Sequence, residues 1–409
     1  MDWGRNSAHI GRLKGCLGMR RVMEATAVGA VLVAAYLVFA IRGQQTGVAY
    51  FQSRSGCRFS AIYNFGDSNS DSGSVSATFG RVRPPYGQTF FGKPSGRYSD
   101  GRLIIDFIAE KLGFPYLVAY LDSIGADFAH GANFAASGST IQHLDAKLCS
   151  AGFNPLTLDV QVLQFEQLKA RSAESYSEAK SYASKISLPK PESFSRALFT
   201  MDSGQNDLHA GLISMTEEQV KASIPGIINQ FSIALEQLYK LGARAFWIHN
   251  TGPIGCLPFF VVKHPPEPNN TDPSGCIMSY NEVAQEFNKQ LKEKIFKLQT
   301  QLQDALLIYV DIYSVKYSLI SNGKDKGFRD PLGYCCGRLG VADCGEKAML
   351  NGTQHYGAAC SNPSKYISWD AIHYTEAANK WVAGRILDGS FSEPQVPIAE
   401  ACYRPSRAK

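Results

Sequence analysis

The sequence lacks most of the signatures that settle a function at a glance. No Gly-x-Ser-x-Gly elbow surrounds any serine, which excludes the usual α/β-hydrolase nucleophile turn. No His-Glu-x-x-His or other metal motif occurs, no phosphate loop, and no Gly-x-Gly-x-x-Gly after a strand signal. Neither a metal nor a cofactor is expected. The cysteines match no zinc spacing and include no Cys-x-x-Cys pair. Internal repeats and a Pro/Gly/Ser linker are absent, and the composition is not that of collagen, a coiled coil or a disordered chain. Charge is sparse, at 19% of residues, with a net +5. Residues 1–40 alone account for +3, through Arg5, Arg12, Lys14, Arg20 and Arg21 against Asp2 and Glu24. The remainder is close to neutral, which does not suit a nucleic-acid partner.

What is present is a chain of 409 residues, 44% hydrophobic, long enough to bury a large core. Residues 1–40 read as a targeting segment, because the apolar run Ala27 to Ile41 follows a basic flank. A cleaved signal peptide is the first choice and an uncleaved signal anchor the second. More positive charge before the run than after it puts the body in the lumen either way. The expected location is therefore the secretory pathway and the cell exterior, with a Golgi-lumen membrane protein as the alternative. Residues 41–58 read as a loose lead-in, 59–402 as one domain and 403–409 as a tail.

Nine cysteines follow the apolar run, and in an oxidising compartment several should pair. Nine is odd, so one is left over within the chain. Cys256 and Cys276 are expected to close one loop, and Cys335, Cys336, Cys344 and Cys360 to form a local cluster. Two sequons place candidate glycosylation at Asn269 and Asn351.

Along residues 59–402 strand and helix signals alternate. Strands are expected at Ala61–Phe65, Ala197–Met201, Ala243–His249 and Ala305–Val310. Apolar residues recur every three or four positions at Val220–Leu238 and Val283–Leu302, the stripe of a core-facing helix. Helices are also expected at Leu103–Leu112, Asp159–Ile186 and Thr375–Leu387, the last with a Thr cap and Glu376 in its first turn. This order predicts an α/β fold, a mostly parallel sheet between helical layers.

Four loops carry candidate chemistry. Ala61–Phe65 runs into Gly66-Asp67-Ser68-Asn69-Ser70-Asp71, and a serine at such a strand end is a candidate nucleophile. Gly-Asp-Ser also makes an ordinary turn. The small-residue loop Gly131 to Thr140 can bring backbone N–H groups to an anion, or be a crowded turn. Asn206, in Gly204-Gln205-Asn206-Asp207, can donate to an oxyanion or cap a helix. In Asp370-Ala371-Ile372-His373 a three-residue spacing on a tight turn can set the carboxylate against the imidazole. Gly252 to Pro258 is assigned to structure.

These four segments, in this order, resemble the plant GDSL-type esterase/lipase family of the SGNH hydrolase superfamily. Pro84-Pro85-Tyr86-Gly87-Gln88-Thr89-Phe90-Phe91 and Gly96-Arg97-Tyr98-Ser99-Asp100-Gly101-Arg102 match the plant branch as well. The resemblance runs from about Ala61 to about Leu387. It implies a three-layer α/β/α sandwich and serine ester hydrolysis. Ser68 would be the nucleophile, His373 the general base and acid, and Asp370 its orienting carboxylate. The backbone N–H groups of Ser68 and Gly138, with the side chain of Asn206, would form the oxyanion hole. The chain departs from the family pattern in Tyr374, where a Pro often follows the His, and in Ser137, where a second Gly is common. Tyr374 is expected to bear on the pocket rim.

The partner is then an ester, with acetyl esters of xylan-type cell-wall polysaccharide first, and acyl lipids or small-metabolite esters second. A membrane enters only if the N-terminal segment stays attached, and oligomeric state is not legible. Tyr86, Phe90, Phe91 and Tyr98 are expected to pack in the core rather than stack on sugars. A secreted glycan-binding glycoprotein without turnover is the reading from a different class. A glycosidase is disfavoured, since nothing sets two of Asp67, Asp71 and Asp100 across a scissile bond.

Overall fold

The computed structural model describes residues 57–144, 152–179 and 185–403. The expected targeting segment, most of the expected lead-in, Cys149 and the end of the expected tail lie outside them. Cys57–Lys409 forms one compact unit.

Five short strands build the centre: β1 (Ile62–Gly66), β2 (Gly131–Asn133), β3 (Leu198–Asp202), β4 (Ala245–His249) and β5 (Leu306–Val310). Small ribbons follow: β6 (Asp330–Tyr334) with β9 (Tyr366–Ser368), and β7 (Lys347–Leu350) with β8 (Thr353–Tyr356). The last strand, β10 (Ser392–Glu393), joins the edge of the main sheet, whose order is β10-β5-β4-β3-β1-β2. All pairings in it are parallel except β10 with β5. The expected α/β sandwich is what forms.

Burial explains why the strands read as near-continuous apolar runs. A parallel sheet is covered on both faces, so successive side chains enter two cores. Tyr63, Phe65, Phe199, Met201, Phe246 and Ile248 face one core with the Leu158–Glu178, Glu217–Lys240 and Met278–Gln301 helices. Ile62, Leu198, Trp247, Ile308 and Val310 face the other, with the Ile104–Leu112, Ile312–Ser321 and Glu376–Ile386 helices. The Glu376–Ile386 helix begins as its sequence predicts, with Thr375 Oγ1 accepting from the Ala378 N–H at 3.2 Å. The Leu158–Glu178 helix ends short of the expected Ile186, at Ala179 with extended backbone. Its composition is helical beyond that point, but the run after Leu168 buries only Ser172, so no core face carries it further.

Strand order 2-1-3-4-5 reverses between β1 and β3, and a crevice opens beyond their carboxyl ends at such a reversal. Eight cysteines pair as Cys57–Cys402, Cys256–Cys276, Cys335–Cys360 and Cys336–Cys344. The expected Cys256–Cys276 loop and the local cluster are both present. Asn269 and Asn351 are exposed, the latter on the turn between β7 and β8 with φ of 51°. Among the described residues no helix is long and apolar enough to cross a membrane.

Candidate active site

The loop after β1 is held from three sides. Gly66 has φ of 152°, and a Cβ there would lie 2.2 Å from the Asp202 carbonyl oxygen, so only glycine fits beside β3. Its N–H donates to Gln161 Oε1 at 2.9 Å, and its carbonyl accepts from Gln161 Nε2 at 2.8 Å. Asn64, buried within β1, donates to Asn133 Oδ1 on β2 and accepts from Thr200 Oγ1 on β3, both at 2.7 Å. Asn133 Nδ2 in turn donates to the Ser70 carbonyl at 2.6 Å. Asp71 then gathers four backbone N–H groups, from Gly73, Ser74, Val75 and, across the crevice, Ser137 at 2.9 Å. One carboxylate thus links the loop bearing Ser68 to the loop bearing Gly138.

Gly138 has φ of 79°, and a Cβ there would fall 1.9 Å from the Gly152 carbonyl oxygen. Among the described residues neither the Ser68 nor the Gly138 N–H donates to a protein acceptor. Asn206, in the first turn of the Gln205–Leu212 helix after β3, gives one amide hydrogen to the Ser139 carbonyl at 2.8 Å. Its second amide hydrogen stays available.

The turn before the final helix sets Asp370 Oδ2 2.7 Å from His373 Nδ1, with the two side chains 8% and 12% exposed. Asp370 Oδ1 accepts from the His373 and Ile372 N–H groups at 2.8 and 3.1 Å. The geometry needs Ala371 at φ of 77°, a conformation that L residues enter at a cost of about 1–3 kcal/mol. Burial raises the Asp370 carboxyl, but the His373 charge and the converging donors outweigh it and hold Asp370 below the usual carboxylate range.

A second donor to Asp370 Oδ2 is the Tyr86 hydroxyl, at 2.7 Å. Tyr86 packs edge-on against Tyr98 and Trp369, and the Tyr98 ring lies 5.3 Å from the imidazole of His373. These two rings therefore belong to the site, not to the core alone. Phe90 and Phe91 pack away from it, against Arg102 and Arg97, but not in the core as expected: Phe90 is 43% exposed and Phe91 half-buried. Tyr374 corrects another expectation: it is 7% exposed and lies away from the rim, under Lys316.

Ser68, Gly138, Asn206, Asp370 and His373 all line one cavity of about 590 Å³. Ser68 and His373 share it without a direct hydrogen bond between their side chains, a separation common before substrate binds. Asp67, Asp71 and Asp100 are 0%, 0% and 1% exposed and do not line it. Sequence reasoning missed Gln161, Asp71 and the Tyr86 hydroxyl. Tyr86 and Asp71 both stood in recognisable motifs, though neither was given a role there; a lone Gln in a polar-rich helix carries no signal.

Residues 62–386 match the family described as GDSL-like Lipase/Acylhydrolase. The chain is 51% identical over 352 residues to a GDSL esterase/lipase of Arabidopsis thaliana, covering 85% of this chain and 90% of that one. It is 47% identical over 356 residues to a GDSL esterase/lipase of Zea mays, with coverage of 85% and 90%. It is also 46% identical over 356 residues to a protein of Arabidopsis thaliana named alpha-L-fucosidase 3, with coverage of 85% and 93%. With its parallel sheet and its match across most of the chain, the protein belongs to the GDSL esterase/lipase family and is a carboxylic-ester hydrolase.

Proposed function

We propose that the chain hydrolyses acetyl esters of cell-wall polysaccharide, of the xylan type, through a Ser68–His373–Asp370 triad. His373 takes the Ser68 proton as the hydroxyl oxygen attacks the ester carbonyl. The negative charge gathers on the former carbonyl oxygen, within reach of the Ser68 and Gly138 N–H groups and the Asn206 amide. The tetrahedral intermediate collapses, and His373 gives its proton to the departing alcohol. Water, deprotonated by His373, then cleaves the acyl-enzyme and returns the serine. Asp370 keeps the imidazole in the tautomer that presents its other nitrogen to Ser68.

The observation that carries this reading is the 2.7 Å Asp370–His373 pair in the cavity that also holds Ser68, Gly138 and Asn206. For the substrate, the support is an open cavity with Tyr86, Tyr98, Phe153 and Phe259 in its walls, which suits a bulky sugar alcohol better than a narrow acyl tunnel. For location, four disulfides support an oxidising compartment, and two exposed sequon asparagines fit passage through one. The N-terminal segment that would direct the chain there lies outside the described residues.

Purified protein given acetylated xylan should release acetate, and folded Ser68→Ala should not. Fatty acid released from acyl lipids, with xylan untouched, would move the substrate to the lipid class. Wild-type hydrolysis of an aryl acetate by folded Ser68→Ala would sink the triad. A fucoside serves as a third arm, given the fucosidase name of one relative. Glycosidic cleavage needs two carboxyls across the bond, and here Asp370 is already committed to His373 and Tyr86.

A further inference from the structure

Beneath Ser68 lies a set of charges that the ester chemistry above does not use. Lys316 projects from the Ile312–Ser321 helix, is 6% exposed, and makes no hydrogen bond or ion pair among the described residues. Its Nζ lies 4.9 Å from the centre of the Tyr374 ring. With Ser68, Asn69, Gln205, Asn206 and Tyr374 it lines a separate cavity of about 20 Å³. An ammonium this deeply buried needs negative charge nearby.

Two carboxyls supply it. Asp67, next to Ser68 in the chain, is wholly buried; its Oδ1 accepts from Asn69, and its Oδ2 has no partner. Asp202, at the end of β3, sits 3.3 Å from His249 Nδ1. Burial and the Asp202 charge push the Asp67 carboxyl up to about 7, while Asn69 and Lys316 pull it back. Burial lowers Lys316, and both carboxylates act to keep it protonated. The charged groups acting on Asp67 are thus Asp202, at the end of β3, and Lys316, from its helix; His249, from β4, pairs with Asp202.

We propose that Lys316 is a positioning residue for ester hydrolysis: its ammonium offsets the Asp67 and Asp202 carboxylates beneath Ser68 and Asn206, so that charge arriving on the substrate carbonyl oxygen is not opposed from the floor. The inference rests on the roles given to Ser68 and Asn206 above. Reducing negative potential under an oxyanion favours the transition state over the neutral ground state, so the effect belongs in kcat and not in KM.

The test is aryl acetate hydrolysis by the full chain from about pH 5 to about pH 9, in wild type, Lys316→Met and Lys316→Met/Asp67→Asn. Lys316→Met is expected to lower kcat by roughly 10–100-fold at the alkaline end with little change in KM. The deficit should shrink as pH falls and Asp67 takes up its proton. Adding Asp67→Asn should restore most of the rate at high pH. Lys316→Gln, which keeps a polar chain without charge, carries the same expectation if Lys316→Met does not fold. A deficit equal at every pH, one confined to KM, or wild-type rates throughout would overturn the proposal. Loss of all activity in Ser68→Ala alongside any of those results would leave the triad standing, so the two readings fail separately.

Discussion

The Asp370 carboxylate does most of the organising at the level of single residues. It receives His373 Nδ1, two backbone N–H groups and the Tyr86 hydroxyl, and so fixes both the tautomer and the orientation of the imidazole. Tyr86→Phe removes one donor while leaving the rings packed. Its kcat/KM is expected to fall by up to roughly tenfold with an unchanged melting temperature, read by steady-state kinetics and calorimetry. Asn206→Ala removes the side-chain donor proposed for the charge-developing oxygen, and kcat should fall by about 100–1,000-fold. Asp207, beside it, plays a different part. Its carboxyl accepts from the Ile141 and Gln142 N–H groups, and burial pushes it up to about 7. A raised carboxyl favours the folded state fully below its unfolded value near 4, and that contribution is lost as pH rises through about 7. Asp207→Asn never ionises. Its stability relative to wild type should therefore grow between about pH 4 and pH 8, by on the order of 1–4 kcal/mol in urea titrations. The sequence motifs named Asp370, His373 and Asn206, but not the Tyr86 hydroxyl. A phenol reaching a carboxylate 284 positions away leaves no local pattern to read.

At the level of elements, loops bear the residues proposed to carry the chemistry, and strands aim the loops. The Gly131–Asn133 strand feeds the segment whose Ser137 N–H is pinned by Asp71, and Gly138 follows at φ of 79°. Gly138→Ala sets a Cβ against the Gly152 carbonyl in a conformation alanine resists. The variant should lose at least about 1–3 kcal/mol of stability, measured by chemical denaturation, and lose activity with the displaced N–H. Periodicity made the long helices and central strands visible in advance, because burial on one or two faces writes itself into the spacing of apolar residues. It overran the Leu158–Glu178 helix, because polar helix formers continue past the last contact with the core. The short strands β6, β7 and β8 were not legible either, since they are half-buried or exposed and lack a continuous apolar face, and the buried β9 is only three residues long.

Taken as a whole, the molecule is a covered parallel sheet whose ends are tied together. Cys57 and Cys402 are 345 positions apart, and their bond joins the start of the described chain to its end. Cys57→Ser/Cys402→Ser should fold but unfold at lower denaturant, with a loss of about 2–5 kcal/mol, because the unfolded chain regains the freedom that the bridge removed. Sequence alone determined the alternating elements, the family, the ester-hydrolase class and the four loops proposed to carry the chemistry. Each of those rests on local spacing or on a contiguous motif. Tertiary structure decided what no local window contains: that Cys57 meets Cys402, that Tyr86 donates to Asp370, that Tyr374 turns away from the cavity rim, and that Lys316 is buried beside Ser68. Those contacts follow from the order of strands in the sheet, which brings together residues that the chain keeps hundreds of positions apart.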